Sequence, residues 1–534
     1  MPADFHASVF ARAEKGLLLR VAPLPSILNT PRSTCFFIPY TGRRLSTTSN
    51  RNAHETVSFH GSPVLEELMS SVLNRSTTAM AESLISSKAA TPAQPPHSAC
   101  QLCGRACEHL IALGELPPEL GDIIKANAPP ARPLEDICLQ CVELFRRAKA
   151  QTDAHAAIFA QTNQVLPTPL RLSADQRFTG RDVTIAFLDS GFYAHPDLTK
   201  PSNRILAYKS IFSAGDDLSS LENIDVSSWH GMMTSVVAAG NGYLSEGFYR
   251  GIAPSSQLVL VKIGRTGHIP EGNIQRGLEW VLEHREQYGI RIVNISAGGD
   301  FEQSYLLNPL CQVVEEVVRH GLIVVCAVGN AGMTPGHVVL PPASAPAAIS
   351  VGGLDDQNSL DRARRGMYRS SYGPTIDGLQ KPEIIAPGIW VAAPILPHTP
   401  TAAEAHLYSE LNAATDDKLR GIIEYHQGTD KDLDEARDLP VPLIRQLITI
   451  KLREGNVINQ HYKLVDGTSF ASPIVASTVA CMLEANSRLS PQQVKRILIE
   501  TAERVPGVEI ERQGWGVVAP QRAVEQALSL RSSL

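Results

Sequence analysis

Apolar positions in this chain follow two rhythms. Continuous runs rich in Val, Ile and Leu occur at Val183–Leu188, Gln257–Ile263, Ile290–Ser296, Leu322–Val328 and Ala347–Val351. Their length and β-branched content predict strands buried on both faces. Between and after them, Ile274–Glu286, Leu310–His320, Phe470–Ala485 and Pro491–Glu503 carry apolar residues at helical spacing. Ser490-Pro491-Gln492-Gln493 is a start signal for the last of these: a cap, a proline at the first helical position and a capping-box glutamine. Strand runs alternating with helices imply an α/β domain of three layers, a mostly parallel central sheet covered on both faces.

The rhythm changes between Pro387 and Asp466, a stretch longer than a connection in such a core needs. His406–Gly421 and Val441–Glu454 read as amphipathic helices separated by the acidic stretch Asp430–Asp438. A helical insertion at about 395–460 is therefore expected. It has two open readings, a lid or substrate-selecting element and a surface decoration.

Length and composition fit one large domain with something beside it. At 534 residues the chain exceeds a usual single domain, and the core from about 165 to 530 accounts for most of it. Hydrophobic content of 43% with 19% charged residues is that of a globular protein, and a net charge of −6 argues against a nucleic-acid partner. The sequence reads as lacking an apolar run long enough to span a membrane, which takes about 18 residues or more.

Candidate chemistry sits where the elements end. Gly467-Thr468-Ser469-Phe470-Ala471-Ser472-Pro473 delivers a serine to the start of an apolar helix, with small neighbours that leave room for a substrate backbone. A serine hydroxyl is a poor nucleophile without an adjacent base, so Ser469 needs partners; the plainer reading is a helix entry capped by Thr468 or Ser469. Asp189-Ser190-Gly191 closes the first strand, where α/β sheets place chemistry. His230-Gly231 opens a small-residue helical run. Taken separately, Asp189 reads as a turn residue and His230 as a structural helix-start histidine.

In the order Asp189, His230, Ser469, each with a glycine-containing collar, the three resemble the catalytic residues of the subtilisin-like serine proteases, the subtilases. Further blocks carry the resemblance along the chain: Gly251-Ile252-Ala253-Pro254 with the strand Leu258–Ile263, then Ile292–Gly299, Val324–Gly332 and Lys381–Gly388. The resemblance implies a subtilisin-like fold and a serine endopeptidase acting on protein or peptide substrates. It implies Ser469 as nucleophile, His230 as general base and acid, Asp189 as the orienting carboxylate and Asn330 as the oxyanion donor. Asn330 taken by itself is as readily a turn residue. The resemblance further implies Ser296, Ala297, Gly298 and Gly299 as substrate-binding. Their small uncharged walls favour an apolar or aromatic side chain, with Asp300 and Glu302 near enough in sequence to keep the question open. One departure stands two positions after the histidine, where the family commonly has a small hydroxyl residue and this chain has Met232. Calcium is a possible cofactor with no residues assigned to it. The competing reading is a protease-like peptide-binding or interaction protein.

The N-terminal part is different material. Cys100-Gln101-Leu102-Cys103 and Cys138-Leu139-Gln140-Cys141 form two CxxC knuckles, whose thiolates suit one structural zinc in a small module over 96–150. The gap between them exceeds the commonest spacing of about 15–20 residues. Cys107 or His109 could replace a ligand, and disulfide pairing is the other reading. The remaining Cys35, Cys311, Cys326 and Cys481 are isolated thiols, which suits a reducing, intracellular compartment, the cytoplasm first. Residues 1–95 read as a disordered, targeting or mis-started leader: residues 1–60 carry seven Lys/Arg against three acids, and Met80 is an alternative start. Organellar import is compatible with that leader. Gly16–Leu28 is no secretory signal, since Arg20, Pro23 and Pro25 interrupt it.

Overall fold

The computed structural model describes residues 98–104, 106–107, 109–126, 134–158, 165–213, 218–265 and 268–532. The leader, Cys35, Met80 and the linker Thr91–His97 lie outside the described residues.

The central sheet is built from β1 (Thr184–Asp189), β2 (Ile205–Ser210), β3 (Gln257–Lys262), β4 (Ile290–Ile295), β5 (Ile323–Ala327), β6 (Ile349–Asp355), β7 (Gly366–Met367) and β8 (Ile384–Pro387). Their order is β7-β6-β5-β4-β1-β3-β2, with β8 also paired to β6. All pairings are parallel except β6 with β7. Strand β1 is buried at every position because it is flanked by β3 and β4 and covered on both faces, which is why its sequence is apolar rather than alternating.

One face is covered by α1 (Ser228–Ala239) and the other by α2 (Glu271–His284) and α3 (Pro309–Arg319). Apolar residues of the first face pack with α4 (Thr468–Ala485), α5 (Pro491–Thr501) and α6 (Pro520–Ser532). The Ser490–Gln493 capping box is formed in full. At 18 residues α4 is long and apolar enough to cross a membrane, contrary to the expectation that the chain has no such run. It is a core helix instead, buried along almost its whole length.

A buried ionic cluster ties β8 to the rest. Glu383 Oε1 accepts from Lys381 Nζ at 2.6 Å and Lys495 Nζ at 2.7 Å, while its Oε2 accepts from the Ser350 N–H at 2.8 Å. Burial pushes Glu383 up, but the two ammonium groups outweigh it and hold the carboxyl below its usual range. A carboxylate with a depressed folded pKa contributes stability above its unfolded value, and that contribution is lost as pH falls through the folded pKa. Glu383→Ala strands a buried Lys381, so we expect a loss of about 3–5 kcal/mol. Denaturant melts at neutral pH check it.

The insertion rises from an antiparallel ribbon of Val391–Pro394 with Tyr462–Val465. It has its own small core, including Leu407, Leu411, Leu419, Ile423, Ile444 and Ile448. The second predicted helix forms as expected at Val441–Glu454. The first begins earlier, at Pro400–Ala413 with Thr399 as its cap, and a separate helix follows at Leu419–Tyr425. The acidic stretch is not a plain spacer. Asp430 is buried, caps the helix Lys431–Ala436 through Asp432 N and Leu433 N, and accepts from Tyr408 Oη at 2.5 Å.

The cysteine-bearing segment pairs Ser98–Ala99 with Ala106–Cys107, and Leu110–Ala112 with Asp136–Cys138. Its helix Leu139–Ile158 runs past residue 150. Phe145, Ile124 and Ile137 form its core, which also takes in Leu166 and Leu170 from the entry to the larger domain.

Candidate active site

Asp189 ends β1 and is buried. Its Oδ1 lies 2.7 Å from His230 Nδ1 and accepts from the Ser190 N–H at 2.7 Å. Its Oδ2 accepts from Thr234 Oγ1 at 3.1 Å. Three partners on two oxygens fix the carboxylate and point it at one imidazole nitrogen. Thr234 was invisible as a site residue in the sequence, although it stands one helical turn after His230 and so shares its face.

His230 is in the first turn of α1. Gly231 beside it is a steric necessity: a Cβ there would run into the Gly191 carbonyl oxygen and come within 2.9 Å of Asp189 Cβ. Glycine therefore lets α1 dock onto the end of β1. Burial pushes the imidazole pKa down, but the charge of Asp189 and the hydrogen bond to it prevail, and the net shift is upward. Met232, the departure from the family pattern, is wholly buried in the core.

Ser469 is the second residue of α4, and the helix starts from Gly467 at φ +136°, a conformation that favours glycine. No side chain caps this helix end, so neither Thr468 nor Ser469 serves as the cap. The Ser469 hydroxyl lies 3.5 Å from the Ser296 carbonyl, and Ser296 Oγ donates to the Ser469 carbonyl at 2.9 Å. Phe470 brings α4 to the histidine, with ring centroids 5.8 Å apart.

Asn330 faces the same helix start. Its Oδ1 accepts from the Thr468 N–H at 2.9 Å and from Thr468 Oγ1 at 3.1 Å. With the oxygen occupied, the Nδ2 donors turn toward the Gly467 turn, 3.7 Å from where a Cβ on that glycine would stand. A cavity of about 400 Å³ opens here, lined by Ser296, Ala297, Gly298, Asn330 and Ser469. Gly299 lies elsewhere: its N–H donates to the Pro341 carbonyl at 2.6 Å, and a Cβ on it would strike the Glu271 carboxylate. Asp300 is 3.6 Å from the exposed His268. Neither Asp300 nor Glu302 lines the cavity, whereas His337, which the sequence did not single out, does. A second, more apolar groove of about 550 Å³ adjoins Trp229 and Met233 of α1 and is closed by Ile395, Thr399 and Val465 at the base of the insertion.

Far from this centre in sequence, the thiols of Cys100, Cys103, Cys138 and Cys141 converge in a buried cluster, with every Sγ within 4.8 Å of the others. Cys107 and His109 are not members. The Cys103–Cys138 and Cys100–Cys141 separations of 3.8 and 4.0 Å are too long for disulfide bonds. They are near the ~3.8 Å edge of a tetrahedron with ~2.3 Å metal–sulfur bonds. Cys100 also accepts from the Cys138 N–H at 3.2 Å. Hydrogen bonding with Cys103 and Cys141 pushes the Cys100 pKa down, and hydrogen bonding with Cys100 and Cys103 pushes that of Cys141 up. The four-thiol cluster can therefore hold a metal ion.

The subtilase family model matches residues 180–430 and 444–516, more than half of the chain. The serine protease AprX of Bacillus subtilis is 29% identical over 360 residues, covering 65% of this chain and 67% of AprX. Subtilisin BL of Lederbergia lenta is 30% identical over 213 residues, covering 40% of this chain and 65% of that protein. Among solved structures, fervidolysin from Fervidobacterium pennivorans covers 67% of this chain and 45% of its own, with 20% identity and a TM-score of 0.46. The thiol cluster lies outside the family match, while Asp189, His230, Asn330 and Ser469 all lie within it. The chain belongs to the subtilase family of serine peptidases.

Proposed function

We propose that this chain is a serine endopeptidase working through an Asp189–His230–Ser469 triad, with Asn330 and the Ser469 N–H as the oxyanion hole. The observation that carries this reading is the convergence on one helix start of a carboxylate-held imidazole, a serine free of capping duty and an amide whose oxygen is tied back by Thr468. Ser469 Oγ attacks the scissile carbonyl and its proton passes to His230, which later delivers it to the leaving amine. Asp189 holds the imidazole tautomer and stabilises the imidazolium. Negative charge grows on the carbonyl oxygen only in the tetrahedral state, where preformed donors act with most effect.

Cleavage of a peptide library by the purified full-length protein, read by mass spectrometry, tests the activity. Internal cuts after apolar or aromatic residues are expected from the small, uncharged cavity walls; no cleavage, or release of terminal residues alone, would refute the endopeptidase reading. Asn330→Ala should lower kcat by about 10²–10³ with KM little changed, a magnitude carried over from subtilisin. A raised KM with unchanged kcat would make Asn330 a binding residue. Because the His230 pKa is raised, the acid limb of kcat/KM should lie above the ordinary imidazole value of about 6.5, activity falling as the base protonates.

The four-thiol cluster is best suited to one structural zinc held by Cys100, Cys103, Cys138 and Cys141, since soft thiolates in a closed tetrahedron select that ion. Metal analysis of protein purified under reducing conditions should give one zinc in this cluster, lost in Cys100→Ser/Cys103→Ser. The ion does no chemistry in the triad. Buried thiols at Cys311, Cys326 and Cys481 support our assignment to a reducing intracellular compartment.

A further inference from the structure

The helical insertion carries a second group of metal-ligating side chains, unrelated to the thiol cluster and to the triad. His406 and Glu410 stand one helical turn apart on Pro400–Ala413, so they share a face. His426 follows the C-terminus of Leu419–Tyr425 and meets them there. Glu410 Oε2 is 2.9 Å from His426 Nε2 and 3.8 Å from His406 Nε2, and one ligand atom from each of the three residues lies within 4.8 Å of the others. The imidazole centroids are 5.5 Å apart.

The surroundings prepare this group for a cation. His406 Nδ1 lies 3.1 Å from Gln460 Oε1. That oxygen can only accept, so it fixes the tautomer with hydrogen on Nδ1 and leaves the lone pair of Nε2 facing Glu410. This is the arrangement in which an outer hydrogen bond orients a metal-ligating histidine. His406 and Glu410 are exposed and His426 half-buried, so water can complete the coordination. Two imidazoles and one carboxylate with an open position suit zinc and its first-row neighbours, whereas calcium and magnesium prefer all-oxygen sets.

From this geometry we infer that His406, Glu410 and His426 form a second divalent-metal site, of zinc class, that clamps the insertion. The ion takes the place of the hydrogen between His426 Nε2 and Glu410, and the neutral imidazole keeps its one N–H hydrogen on Nδ1. It joins helix Pro400–Ala413 to the end of Leu419–Tyr425. Through Gln460 it also reaches the residue that leads into ribbon strand Tyr462–Val465, which runs on to Gly467 and Ser469. The clamp thus braces the element that closes the apolar groove beside Trp229.

The test uses the full-length chain, with metal counted at equilibrium with micromolar free Zn²⁺ and again with Co²⁺. The parent should hold two ions per chain, and His406→Asn/His426→Asn should hold one. Cys100→Ser/Cys103→Ser should keep the insertion ion, and its Co²⁺ spectrum should lack the intense thiolate charge-transfer bands. Glu410→Gln should weaken the second ion about tenfold or more. His406 is exposed and His426 half-buried, so without added metal the double variant should melt close to the parent; added Zn²⁺ should raise the parent's melting temperature more than the variant's. Equal metal content in the parent and the His406→Asn/His426→Asn variant would overturn the proposal. So would a Co²⁺ spectrum with thiolate bands for the second ion. Loss of the thiolate-bound ion with retention of the second would count against the four-thiol assignment only.

Discussion

Ser469→Ala is expected to lower kcat by about six orders of magnitude, a loss carried over from the corresponding change in subtilisin. The physical ground is that the proposed triad works as a unit. Without an attacking oxygen, the imidazole of His230 has no proton to take, and only binding and the oxyanion donors are left to assist water. The fold should be unharmed. The substitution removes only the 3.5 Å approach of Oγ to the Ser296 carbonyl, while the Ser296 Oγ bond goes to the Ser469 main chain and survives. A surface-type change in stability, within about 0.5 kcal/mol, is therefore expected. The same variant should no longer be labelled by a fluorophosphonate, because the proposed site gives Ser469 both a base and an oxyanion pocket. Labelling or cleavage at the parental rate would place the nucleophile elsewhere.

What the sequence made legible follows from the range of each interaction. Buried strands announce themselves locally, because a segment covered on both faces must be apolar throughout, and β1 is so from Thr184 to the carboxylate that ends it. Ser490 and Gln493 could be paired on paper because a capping box is complete within four residues. The insertion's first helix was misplaced although Thr399-Pro400 is a start signal of the same kind; its apolar residues answer to a core shared by four helices, so their period by itself did not show the beginning. Asp430 read only as the start of an acidic stretch: its cap onto Asp432 and Leu433 is local and was overlooked, whereas its Tyr408 partner, 22 residues back, is a tertiary fact. The site shows the same division. Asp189, His230, Asn330 and Ser469 stand in recognisable blocks, but Thr468 holds the Asn330 amide across 138 residues and nothing local marks that pairing. Gly299 shares a block with Ser296 to Gly298, yet the chain turns away after Gly298 and commits that glycine to Pro341 and Glu271. His337 enters the cavity from a loop that carries no pattern at all.

Asp189→Asn should cost about four orders of magnitude in kcat with the fold intact, the scale seen when a triad aspartate elsewhere is made amide. Asn is the same size, and the position is buried, so packing is kept. The loss comes from hydrogen-bond direction. The Ser190 N–H and Thr234 Oγ1 both donate to this side chain, one to each oxygen, and His230 Nδ1–H donates as well. An amide offers one accepting oxygen. If that oxygen takes the Oδ1 place it still accepts from Ser190 and from His230 Nδ1–H, while its NH₂ group opposes the Thr234 hydroxyl, which can rotate to accept, and the negative charge that stabilises the imidazolium is lost. If the amide instead donates to Nδ1, the imidazole proton moves to Nε2 and His230 can no longer accept from Ser469. Removing the negative charge also removes the main influence that raises the His230 pKa, so the acid limb of the residual kcat/KM should move to lower pH. A merely structural role for Asp189 would leave that limb where it was. The measurement is a pH profile of kcat/KM for parent and variant on one peptide, beside fluorophosphonate labelling rates. A kcat within tenfold of the parent together with an unmoved acid limb would remove Asp189 from the triad, whereas a large loss in kcat with the limb displaced downward is the expected result.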